Sequence, residues 1–180
     1  MKLRKGSQDA TGLTFGIVAS KFNKFVTSRL LTECVKALTK AGVTDEAIEV
    51  VRVPGAFEIP LVARQLARSG RFDAVICLGA VIRGDTPHFE YISTEVSRGI
   101  LQASMDSNIP VIFGVLTTDT VAQAIERADP AKLNRGADAA KTAIEMVNVM
   151  RLLKKEGSGE APQPATPSRR AGRSAARPKR

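Results

Sequence analysis

The sequence predicts an α/β fold: a three-layer α/β/α sandwich around a central four-stranded parallel sheet. Short apolar runs alternate with amphipathic segments in the order βαβαβαβ, and helical periodicity continues after the last run. One run, Ala74 to Ile82, is apolar throughout, as a strand covered by helices on both faces must be. Strands that alternate with helices need right-handed crossovers, which make the sheet parallel and place helices on both its faces.

After a polar lead over residues 1–12, Leu13 to Ala19 reads as the first strand. Phe25 to Ala41 carries Val26, Leu30, Val35 and Leu38 near helical spacing, and Gly42 closes that helix. Ala47 to Val53 is a second strand, ended by Pro54-Gly55. Phe57 to Arg68 is a second helix with Ile59, Val62, Ala63 and Leu66 on one face. The apolar run Ala74 to Ile82 is the third strand, and Phe89 to Ser107 repeats Ile92, Val96, Ile100 and Ala103 at helical spacing. Pro110 to Leu116 is the fourth strand. Asp119 or Thr118 caps a short helix to about Arg127, and after the Pro130 break a last helix runs from Asn134 to about Lys155, with Ala137, Ala140, Ile144 and Val147 inward.

The 180 residues fit one domain, 13–156, with a sizeable core. Residues 157–180 are rich in Pro, Ala, Ser and Arg without apolar periodicity, a composition that predicts disorder. This tail holds six Lys or Arg against Glu160, a net of +5, so the chain's +9 leaves +4 for the rest. The high charge therefore reports the tail, not a nucleic-acid-binding face on the fold. Cys34 and Cys77 lie in separate apolar segments, predicting buried reduced thiols with neither a redox pair nor a metal cluster. With no signal peptide and no membrane-spanning run, a cytoplasmic protein is expected.

In open α/β sheets, ligands bind beyond the carboxyl ends of the strands. There the third strand runs into Gly84-Asp85-Thr86-Pro87-His88, a loop with the only histidine in the chain, and imidazole is well suited to move protons near neutral pH. Pro54 to Pro60 brings Glu58 and backbone N–H groups to the same edge, where the carboxylate either grips hydroxyls or complements a helix dipole. Phe22, after the first strand, either stacks on a flat heterocycle or staples the next helix. Arg127 and the Gly84-Asp85-Thr86 loop suit an anion, since a guanidinium fork matches phosphate oxygens. Neither GxxxxGK[ST] nor GxGxxG occurs, so an ordinary nucleotide site lacks its phosphate loop.

Four stretches taken together, Phe22-Asn23, Val53 to Pro60, Leu78 to Tyr91 and Pro110 to Thr117, closely resemble the 6,7-dimethyl-8-ribityllumazine synthase family, and Gln123 to Ala128 extends the match. The resemblance spans about Leu13 to Leu153 and implies a flavodoxin-like fold. It also implies the penultimate step of riboflavin synthesis: 5-amino-6-(D-ribitylamino)uracil condenses with 3,4-dihydroxy-2-butanone 4-phosphate, releasing phosphate and water, without cofactor or metal. By motif match, Phe22 stacks on the pyrimidine, Ala56, Phe57 and Glu58 hold the ribityl chain, and Ala80, Val81 and Ile82 meet the ring edge. Phe113 comes from the adjoining subunit, and Arg127 holds the phosphate with Asp85 and Thr86 while His88 transfers protons. Asp85 is expected to offer its backbone N–H, since its carboxylate would repel the phosphate. Arg135 stands where the family often has Lys and is an auxiliary phosphate candidate.

The resemblance further implies rings of five, sometimes twelve rings in a hollow shell. Asp129 to Leu133 differs from the Gly-rich linker of many shell-forming members. Two other classes compete with the synthase: a shell protein that binds flavin or lumazine without turnover, and a polyanion binder acting through the tail. Retention of His88 and Arg127 opposes the first, and the absence of interleaved aromatics opposes the second.

Overall fold

A computed structural model of the chain, describing residues 1–157, has one parallel sheet in the order β2-β1-β3-β4. The strands are β1 (Phe15–Ser20), β2 (Ile48–Val53), β3 (Ala74–Ile82) and β4 (Val111–Thr118), and the helices are α1 (Lys24–Lys40), α2 (Ile59–Arg68), α3 (His88–Ser107), α4 (Val121–Ala128) and α5 (Arg135–Gly157). One turn of 3-10 helix, Asp45–Ala47, precedes β2. Successive strand residues face opposite sides. Phe15, Ile17, Ile76 and Leu78 therefore join the cluster under α1, α4 and α5, while Val18, Val75 and Cys77 join the one under α2 and α3. Each such aliphatic side chain contributes about 1.5–3 kcal/mol on full burial.

The expected three layers are present, with differences at the edges. A sheet covered on both faces holds for β1 and for most of β3; the outer strands are partly open, with Val50 of β2 and Phe113 of β4 exposed. An edge strand has a neighbour on one side only, so helices within one chain cover it incompletely. The cap of α4 is Thr120, not Asp119 or Thr118: Thr118 ends β4, and the Thr120 hydroxyl accepts the Gln123 N–H at 3.2 Å. Helix α2 starts at Ile59 rather than Phe57, with Glu58 as its cap residue and Pro60 within its first turn, where a missing N–H costs nothing. Gly42 closes α1 as expected, at φ 97°.

Within the lead, the segment from Gly6 to Ala10 packs against the domain. Ala10 is fully buried, and the Asn148 amide donates to the carbonyls of Ser7 (3.1 Å) and Asp9 (2.9 Å). The expected disordered tail lies outside the described residues except for Gly157, which ends α5. Both cysteines are buried free thiols; burial pushes Cys34 up to about 12 and Cys77 higher still.

Helix α5 approaches α1 so closely at Gly136 that an added Cβ would lie 2.4 Å from the Leu30 carbonyl oxygen. Backbone cannot move aside as a side-chain tip can. Gly136→Ala is expected to destabilise the fold by about 1–3 kcal/mol, read as a lower denaturant midpoint at unchanged slope and fixed protein concentration.

Candidate active site

The chain leaves β1 for β2 on one side and then crosses to β3 on the other, so the strand order reverses between β1 and β3. At such a switch point the neighbouring loops diverge and leave a crevice. A cleft of about 720 Å³ opens there, lined by Phe22, Asn23, Gly55 to Glu58, Ala80 to Ile82, Gly84, Thr86, His88, Phe89 and Ile92. Nine of the predicted site residues thus meet in one cavity although they come from three strand ends.

The loop after β1 is stitched to both neighbours. Lys21 N–H donates to the Val53 carbonyl (2.7 Å) and Phe22 N–H to the Pro54 carbonyl (3.0 Å). On the other side, the Asn23 amide donates to the Ala80 carbonyl at 2.9 Å. Asn23 takes the left-handed conformation, φ 54°, which Asn tolerates better than most residues. Phe22 lines the cleft and is 70% exposed, so little of its ring is packed against α1 as a staple would be. Glu58 Oε2 accepts the Gly55 N–H at 2.8 Å, closing the turn while the carboxylate lines the cleft.

His88 is the first residue of α3, not a loop residue as expected. Pro87 pre-sets the backbone before it, so the helix begins at the cleft and carries the exposed imidazole on its first turn. Thr86 lines the cleft, whereas Asp85 is exposed and does not.

Three predicted residues lie elsewhere. Phe113, Arg127 and Arg135 line a second cavity of about 530 Å³ along β4, α4 and α5, which shares no residue with the first. Phe113 is 45% exposed on the edge strand. Among the described residues, Arg127 bonds only the Gln123 carbonyl of its own helix (3.3 Å), and Arg135 pairs with Asp138 (3.2 Å). Within one chain, therefore, Arg127 is not brought to Thr86. Among the described residues, no group of His, Cys, Asp and Glu could hold a metal ion.

The family model described as 6,7-dimethyl-8-ribityllumazine synthase matches residues 12–151. A protein of that name from Syntrophus aciditrophicus (strain SB) is 60% identical over 149 residues, 83% of this chain and 97% of that protein. The chain belongs to the lumazine synthase family.

Lumazine synthase membership gives the cleft its chemical context, and the structure adds residues that sequence reading had not assigned to it. Asn23, Phe89 and Ile92 line the cavity. Asn23 was legible as an Asn between strand and helix, but its bond to Ala80 spans 57 positions and needs the fold. Phe89 reads as the start of a helix within a family-like stretch and Ile92 as helix periodicity, and neither reading assigns a site role.

Proposed function

We propose a division of labour for the condensation of 5-amino-6-(D-ribitylamino)uracil with 3,4-dihydroxy-2-butanone 4-phosphate that this lumazine synthase catalyses in riboflavin synthesis. Phe22 stacks on the pyrimidine, Ala80, Val81 and Ile82 meet its edge, and Ala56, Phe57 and Glu58 take the ribityl hydroxyls. Thr86 and the backbone of Asp85 meet the phosphate. The single observation that carries this reading is the 720 Å³ cleft, where an exposed aromatic, a carboxylate and the imidazole face one space.

The uracil amine attacks the ketone, and expulsion of water leaves an imine. Loss of a proton beside that imine expels phosphate and leaves an enol, which tautomerises to a ketone; the second amine attacks this carbonyl, and loss of a second water closes the ring. Each step needs reactants held in register and a proton given to, or taken from, the butanone carbon or oxygen. His88, at the rim where the butanone phosphate lies, is that proton carrier.

The second cavity supports a shared site. Phe113, Arg127 and Arg135 of one copy would complete the cleft of the next, Phe113 covering the pyrimidine and Arg127 binding the phosphate, with Arg135 as auxiliary. This is a head-to-tail contact, which closes into a ring, and we assign a homopentamer; twelve such rings would form a shell. No helix among the described residues is long and apolar enough to cross a membrane, and buried free thiols suit a reducing compartment, which supports a cytoplasmic enzyme. The basic tail adds weak, salt-sensitive polyanion binding.

Mixing the purified chain with both substrates is expected to raise lumazine absorbance faster than an enzyme-free control, with the protein sedimenting at five chain masses. A folded oligomer that binds the uracil without accelerating its conversion would instead be a binding shell.

A further inference from the structure

The His88 imidazole makes no hydrogen bond among the described residues, so its place depends on the helix turn that carries it. The loop before that turn is weakly braced: at Gly84 a Cβ would meet nothing within 4 Å. One side chain spans the gap. Arg83 follows β3, and its backbone N–H donates to the Thr118 carbonyl at 2.9 Å. Its Nε donates to Asp119 Oδ1 at 2.8 Å, its Nη1 pairs with Glu90, and its guanidinium carbon lies 4.2 Å from the centre of the Phe89 ring. Ile82 and Gly84 line the cleft and Arg83 does not, so this side chain works from outside the cavity.

We propose that Arg83 is a positioning residue for His88: it ties the first turn of α3, through Phe89 and Glu90, to Asp119 beyond β4. Resting on the assignment of proton transfer to His88, this adds a group that never touches substrate. The guanidinium is suited to the task because one planar fork can bond two carboxylates while its face stacks on an aromatic ring. Its hydrogen bond to Glu90, aided by the backbone at Glu90, holds that carboxyl below the usual range. A lowered value keeps the pairing intact at neutral pH and loses it only as pH falls through that value.

Exposed ion pairs add little stability, so Arg83→Gln should fold, assemble and bind the uracil. Its kcat is expected to fall about tenfold, because small misplacement of a reacting group is costly, while both KM values stay within about twofold. Arg83→Lys should recover part of the loss, since Lys can pair with one carboxylate but cannot fork across two. In the His88→Ala background, Arg83→Gln should cost nothing further. Unchanged kcat in Arg83→Gln, a higher KM for the butanone phosphate alone, or an equal loss in the His88→Ala background would each overturn the proposal. If His88→Ala itself leaves kcat unchanged, the assignment of His88 fails; if it slows turnover and Arg83→Gln does not, only the brace fails.

Discussion

His88→Ala is expected to lower kcat roughly 10²-fold while leaving affinity for the ribitylaminouracil nearly unchanged. The magnitude sits at the lower end of what an acid–base side chain supplies, because His88 is exposed and water can reach the vacated position. The split between kcat and affinity follows from the geometry. Phe22, Glu58 and the β3 end form the walls on which the uracil would rest, and His88 stands at the start of α3, whose helix a single exposed alanine would not disturb. Single-turnover rates with saturating uracil, alongside its equilibrium binding, check this. A loss of uracil binding equal to the loss of rate would make His88 a ring contact instead.

Arg127→Ala should raise KM for the butanone phosphate about 10- to 100-fold with kcat little changed, as expected for losing roughly 1.5–3 kcal/mol of bonding to a charged group. A phosphate contact holds substrate and transition state alike, so its loss appears in KM. The fold should tolerate the change, because among the described residues Arg127 bonds only within its own helix. Its position on the β4 side adds a sharper test. If the site is shared, subunits carrying His88→Ala and subunits carrying Arg127→Ala, refolded together, form interfaces with an intact His88 on one side and an intact Arg127 on the other. A random one-to-one mixture would have about a quarter of its interfaces intact. At subsaturating butanone phosphate, activity well above that of either parent is expected; activity equal to the parents' average would put both groups in one subunit's site.

Much of this architecture was legible because strands buried on both faces and amphipathic helices leave periodic traces. The apolar run predicts β3, Ala74 to Ile82, to the residue, since a central parallel strand has apolar side chains throughout. Boundaries were missed where local chemistry competes. Thr118, Asp119 and Thr120 are adjacent cap formers, and only the pairing of β4 through Thr118 decides among them. Gly, Asp, Thr and Pro before His88 predict a loop there, whereas the helix starts on the residue after the proline.

The sequence by itself determined the order of elements, the three-layer class and the residue types gathered at the strand ends, because periodicity and loop chemistry are local properties. The tertiary structure decided which of those loops meet. Crossing from β2 to β3 past β1 opens the cleft between them, and it sends Phe113, Arg127 and Arg135 to the far edge of the sheet. Such long-range placement is set by crossovers and packing, which no window along the chain contains. The same is true of Arg83, whose partners Glu90 and Asp119 lie 7 and 36 positions away and meet only when β3 and β4 pair.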